Sequence, residues 1–242
     1  MRDWWREFSG LVLPVACAGC GRPRTELCPA CGAALNGAPA RSVLPSPRPA
    51  GLPAVHAAAP YENAVRAVLL AHKERGALGL AGPLGRALAA SVRAGTGQAG
   101  AVGPLLLVPV PSARSATAAR GHDPVLRIAR AAADELRRTD GRVRVLPVLR
   151  QLRAVADQSG LGAHRRRANL AEALGVAAGS ERLLGHGRVV LVDDLLTTGS
   201  TLAEAARAVT AALGSGGSAS GRTVCAAAVV SASPSAFEIN RK

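Results

Sequence analysis

Aromatic side chains are nearly absent: two Trp, one Tyr and two Phe make up 2% of 242 residues. Any core must therefore be aliphatic, and a hydrophobic fraction of 48%, dominated by Ala, Val and Leu, is enough to build one. The same shortage argues against base stacking as a main source of nucleic-acid affinity. Lysine is as scarce. Only Lys73, followed by Glu74, and the last residue, Lys242, occur, so the Gly-Lys-Ser/Thr of a Walker A phosphate loop is missing. No apolar run approaches the roughly 20 residues that span a bilayer. The first residues mimic a lipoprotein signal only superficially. Asp3 and Glu7 spoil the cationic start, the apolar core is short, and Pro14 interrupts it. Trp4, Trp5, Phe8, Leu11 and Val12 recur at helical spacing, which predicts a short amphipathic helix that docks on the main domain or on a membrane surface. With no export signal and no transmembrane segment, the expected location is cytoplasmic.

Arginine supplies nearly all of the 30 basic residues, against 16 acidic ones, for a net charge of +14. Such a balance favours anionic partners, among them nucleic acid, nucleotides or an acidic membrane surface. GC-rich codon usage is the alternative source of the Arg and Ala. Cysteine is confined almost wholly to one short stretch. Cys17-Ala-Gly-Cys20 and Cys28-Pro-Ala-Cys31 are two CxxC pairs separated by seven residues. Four thiolates at this spacing can close a tetrahedral Zn²⁺ site. Two disulfides or redox pairs are the alternative, and with no export signal a disulfide framework is disfavoured. Cys225 stands alone in an apolar run and reads as a core residue.

The composition divides the chain into three parts. Residues 1–36 hold the N-terminal helix and the cysteine module. Residues 37–54, rich in Pro and Ala, read as a linker. Residues 55–242 alternate strand-like and helix-like segments. Helices are expected from about Tyr61, with Val65, Val68, Leu69 and His72 on one face, and from about Leu80 to Val92. The run from Leu105 to Val110 reads as a buried strand. Asp123-Pro124 marks a helix start that runs to about Arg138. Strands follow at 143–149, 189–192 and 223–230, and Thr201 with Glu204 is set to form a capping box. Strands alternating with helices predict an α/β fold with a parallel sheet flanked by helices.

Residues 189–201 carry the chemistry: Val-Val-Leu-Val-Asp-Asp-Leu-Leu-Thr-Thr-Gly-Ser-Thr. An apolar strand ends in two carboxylates, a hydroxyl-rich turn follows, and then a helix begins. Adjacent side chains on an extended segment point different ways, so Asp193 and Asp194 can serve a ribose diol and a hydrated Mg²⁺. The turn and helix N-terminus make an anion site, to which Thr197, Thr198, Ser200 and Thr201 add hydroxyls. Gly199 lets the backbone approach a phosphate. A Walker B strand is the competing reading, and the missing Walker A loop removes it. An ordinary capped turn is the other, but such turns rarely carry two acids and four hydroxyls around one glycine.

This segment resembles the phosphoribosyl-pyrophosphate (PRPP) signature of type I phosphoribosyltransferases. The whole chain resembles the ComF family of bacterial competence-associated proteins. The resemblance rests on the N-terminal helix, the double CxxC and Tyr61. It continues through the strand end Val108-Pro-Val-Pro111, the Arg120-Gly121 element, the stretch Gln158…Arg166…Asn169 and the acid signature. It implies a type I phosphoribosyltransferase-like domain with a small zinc-binding module. Asp193 and Asp194 would hold ribose hydroxyls directly or through Mg²⁺, and 197–201 the 5′-phosphate. Pro111 and Ser112 correspond to the pyrophosphate loop. Residues 158–169 resemble the loop that closes over PRPP, where Arg165, Arg166 and Arg167 can meet pyrophosphate or nucleic-acid phosphates. The family's Arg-Gly-Phe-Asn-Gln is here Arg120-Gly-His-Asp-Pro124, so its aromatic and both amides are gone. The implied ligand is PRPP or ribose 5-phosphate. The implied partners are single-stranded DNA and other competence or DNA-processing proteins. Two functions stay open: a ribose-phosphate-binding module in DNA uptake or DNA handling, and an active transferase moving ribose 5-phosphate between pyrophosphate and a base.

Overall fold

The computed structural model describes residues 15–97, 103–139, 141–153, 172–215 and 224–238. In chain order these form α1 (Pro29–Asn36), β1 (Arg41–Val43), β2 (Val55–Pro60), α2 (Asn63–Glu74), a 3₁₀ turn (Leu78–Leu80), α3 (Ala81–Thr96) and β3 (Leu105–Pro109). Then come α4 (Arg114–Arg120), α5 (Pro124–Arg137), β4 (Val143–Val145), β5 (Leu149–Gln151), β6 (Leu174–Val176) and α6 (Glu181–Leu184). The chain continues with β7 (Arg188–Leu196), α7 (Ser200–Ser215), β8 (Ala226–Ala232) and α8 (Pro234–Glu238). The expected N-terminal helix and the loop residues Gln158, Arg165, Arg166 and Asn169 lie outside the described residues. Among the described residues no helix is long and apolar enough to cross a membrane.

Six strands form one sheet in the order β1-β2-β8-β7-β3-β4. Only β1 is antiparallel to its neighbour; the other pairings are parallel. Parallel sheets must be covered on both faces, which is why β7 and β8 are near-continuous aliphatic runs. On one face Leu107, Val190, Val192 and Val230 pack with Leu84 and Leu88 of α3 and Ile128 of α5. On the other, Leu106, Val108, Val189, Leu191 and Val229 pack with Leu202, Ala205 and Val209 of α7. Each fully buried Val or Leu contributes roughly 1.5–3 kcal/mol relative to exposure, so aliphatic packing suffices without aromatics. The helix pair α3 and α5 approaches closely because position 85 is glycine: a Cβ there would lie 2.8 Å from the Ala131 carbonyl carbon.

The connections from β3 and from β7 leave on opposite faces. The chain after β3 enters α5 on the α3 side of the sheet, whereas the chain after β7 enters α7 on the other. Because β3 and β7 are neighbours, a crevice opens between their carboxyl ends, where open α/β sheets bind ligands. The helix start at Asp123 forms as its residues predict. The Asp123 carboxylate accepts the Leu126 N–H at 3.0 Å, and Pro124 occupies the first turn.

The structure departs from the sequence reading at four places. The stretch 37–54, expected as a linker, contributes β1 to the sheet and buries Val43 and Leu52. Proline is tolerated beside so short an edge strand, which hid it in the composition. The strand expected over 143–149 is two short strands in different sheets, β4 and β5, with Pro147 between them. Cys225, expected in the core, is exposed just ahead of β8. The expected capping box does not form: α7 starts at Ser200, which puts Thr201 inside the helix, and Glu204 turns to β6 instead.

That turn makes a clip. Glu204, 7% exposed, accepts the Leu174 N–H at 3.1 Å and Arg207 Nη2 at 2.7 Å. The same Arg207 nitrogen donates to Leu174 O at 3.0 Å. Burial alone would raise the Glu204 carboxyl, but the Arg207 guanidinium and the Leu174 N–H outweigh it and hold it below its ordinary 4.5. Replacing Glu204 with Ala strands a buried N–H and is expected to cost about 2 kcal/mol in urea unfolding. A depressed carboxyl stabilises the fold above the unfolded-state value and loses that contribution as pH falls through the folded one. The stability advantage of the wild type over Glu204→Gln should therefore be full above the ordinary 4.5 and shrink below it; a pH-independent gap would contradict the clip.

Candidate functional site

β7 carries its ladder unequally. Toward β3 it is paired from Arg188 to Val192, and the Val110 N–H donates to Val192 O at 2.9 Å. Toward β8 the pairing runs on to Leu196. From Asp193 onward β7 is thus held on one side only, and the opened side faces the crevice. A cleft of about 250 Å³ forms there, lined by Lys73, Val110, Pro111, Ser112, Val125, Asp193, Asp194, Leu195, Thr197 and Thr201. The structure so brings together six of the expected site residues from two distant segments. Thr198 and Gly199, in the turn before α7, and Ser200, the first residue of α7, are not part of this lining, and Ser200 lines a larger hollow instead. Thr198 Oγ1 and Ser200 Oγ are 3.1 Å apart. Gly199 has φ of +76°, a conformation that favours glycine, and is hemmed in by Leu52 and Pro45. Gly199 O accepts the Ala203 N–H at 2.9 Å, which starts α7. The N–H groups of the first turn then have no intrahelical acceptor and suit an anion.

The two acids have different surroundings. Asp194 is buried and accepts Lys73 Nζ at 2.7 Å. Asp193 Oδ1 accepts the Asp194 N–H at 2.8 Å. Burial, and then the neighbouring Asp194 charge, push the Asp193 carboxyl well above the usual carboxylate range, with Lys73 pulling back. Burial also works against the Lys73 ammonium, but the Asp194 carboxylate outweighs it and holds Lys73 above its ordinary value. Lys73 was not among the expected site residues. Its signal in the sequence was rarity, since it is the only lysine before the chain's last residue.

Behind Lys73 lies a buried polar group. His72, fully buried, meets the His122 ring edge-on at 6.0 Å between centroids. His122 is thus half-buried and packed against α2. Arg120 Nε donates to Glu74 Oε2 at 2.9 Å, tying the α4–α5 corner to α2. A larger hollow, about 790 Å³, lies against α7. Its lining is mainly small residues, and its ionic groups include the Glu204–Arg207 pair already engaged with β6. Glu172 also lines it, but Glu204 there is already paired with Arg207, and the expected acid pair lines the smaller cleft instead.

The cysteines converge as their spacing predicts. The sulfurs of Cys17, Cys20, Cys28 and Cys31 all lie within 4.8 Å of one another. Cys20 and Cys28 are 3.6 Å apart at sulfur, too far for a disulfide and near the ~3.7 Å separation of two thiolates on one tetrahedral metal. Burial alone would raise Cys17, but N–H donors led by that of Cys28 bring it to about 6. The Cys31 N–H likewise lowers Cys28. Burial and the adjoining sulfurs raise Cys31 in the absence of a cation. Such a set, with thiolates favoured at two positions and charge crowded at a third, fits a metal ion.

These features define an α/β protein with a mostly parallel sheet, a carboxylate cleft at its carboxyl edge and a four-thiol cluster near the N-terminus. No protein-family model matches the chain, and no curated protein matches it significantly. For the thiol cluster, elemental analysis of freshly purified protein should find one tightly held transition-metal ion per chain, lost in Cys31→Ser; a metal-free, folded wild type would contradict the site.

Proposed function

We propose that the cleft binds PRPP or a simpler ribose phosphate such as ribose 5-phosphate, and that the chain is a ComF-like protein with a type I phosphoribosyltransferase-like domain. What supports this most is the convergence of Asp193, Asp194, Thr197 and Thr201 with Pro111 and Ser112 in one cleft at the sheet's switch point. Asp193 and Asp194 take the ribose hydroxyls, directly or through Mg²⁺, and 197–201 cradle the 5′-phosphate. The loop at Pro111 and Ser112 lies where a 1-diphosphate is received. Mg²⁺, when bound, supplies positive charge to the diphosphate. The four cysteines hold Zn²⁺ as a structural ion, since thiolate-rich tetrahedral sites favour it.

The biological role that fits is DNA uptake in natural transformation, or DNA handling, in the cytoplasm. The net charge of +14 supports a polyanionic partner such as single-stranded DNA, and competence or DNA-processing proteins are the expected protein partners. Calorimetric titration of PRPP in the presence of Mg²⁺ should give a saturable heat. The double variant Asp193→Asn/Asp194→Asn should bind about tenfold more weakly or worse, a loss of about 1.4 kcal/mol or more. A wild type that gives no heat, and whose cleft ribose 5-phosphate does not enter, would remove the ribose-phosphate reading.

A further inference from the structure

Two carboxylates and one base face the cleft: among the described residues lining it, Lys73 is the only cation. It comes from the last turn of α2, 121 residues from its partner, and its Nζ sits 2.7 Å from Asp194 Oδ2. The lysine side chain is 33% exposed and the aspartate 8%, so the ammonium is the member that can leave. A divalent ion at a carboxylate oxygen would stand within a few ångströms of that ammonium, and two cations so close repel strongly away from bulk water. The ammonium on Asp194 Oδ2 therefore weakens that carboxylate as a ligand for a free divalent ion. The residue type also matters. This chain uses arginine almost everywhere, and a guanidinium would grip the carboxylate with two parallel bonds, whereas lysine makes a point contact on a flexible stem.

We propose that Lys73 is an internal counter-ion of the acid pair, which bars a free divalent cation from Asp194 and releases that carboxylate only when a phosphate-bearing ligand offers the ammonium a new partner. Metal then enters with the ligand, not before it. The identity of that ligand rests on the ribose-phosphate reading; the competition for Asp194 does not.

Mn²⁺ is the probe, because it prefers oxygen ligands and leaves the thiol cluster aside. Free Mn²⁺ is read by electron paramagnetic resonance during titration of the whole chain, for the wild type, Lys73→Met and Lys73→Gln. Without ligand, both variants should bind Mn²⁺ about tenfold or more tighter than the wild type. The gain should vanish when Asp194→Asn is added. Ribose 5-phosphate, titrated by calorimetry, should bind both variants about tenfold more weakly for want of the ammonium. Equal Mn²⁺ affinity in the wild type and in either variant that retains its far-ultraviolet circular dichroism overturns the proposal. The two readings separate cleanly. A Mn²⁺ gain with no ribose 5-phosphate binding to the wild type upholds the counter-ion role and removes the ribose-phosphate reading. Ribose 5-phosphate binding without a Mn²⁺ gain does the reverse.

Discussion

The cleft exists because β7 loses one of its two neighbours before it ends. Up to Val192 it is hydrogen-bonded to both β3 and β8, and both faces are packed with Val and Leu. Beyond Val192 only β8 remains. Two carboxylates fall at that point, where backbone is still held rigidly but one side is open. Such a position is costly for charge and valuable for binding, since fixed polar groups at the edge of an apolar core act in a medium that screens little. Burial and the Asp194 charge raise the Asp193 carboxyl, and Asp194 itself is paired with Lys73 at 2.7 Å.

Lys73 also connects the cleft to the N-terminal cysteines. It lies in α2, whose first turn carries Ala64, and Ala64 packs on the thiol cluster. Leu35 of α1 is buried in the same core as Val65, Val68 and Leu69 of α2. The cysteine-bearing segment is therefore mounted on the helix that delivers the lysine. The His72–His122 contact and the Arg120–Glu74 pair hold the opposite end of α2 against the α4–α5 corner.

Much of this was legible in the residues because strong local signals agreed with the global fold. Apolar runs at 105–110 and 189–192 had to be buried strands, Asp123-Pro124 had to start a helix, and the double CxxC had to converge. What failed did so for a physical reason. Glu204 sits three residues after Thr201, which suits a capping box, but α7 already starts at Ser200, and Glu204 accepts the Leu174 N–H and the Arg207 guanidinium instead. β1 was hidden by proline-rich flanks, and Cys225 by an apolar run whose buried strand begins one residue later. The Lys73–Asp194 pair spans 121 residues, and no local pattern can announce such a contact.

The proposed ribose-phosphate site is the crevice between β3 and β7. Amide resonances followed by nuclear magnetic resonance during titration with ribose 5-phosphate and Mg²⁺ test it most directly. Binding in the crevice should give saturable shifts at Ser112, Asp193, Asp194 and 197–201, with β1 and α8 unmoved. Shifts confined to the hollow outside α7, or none at any concentration, would contradict it.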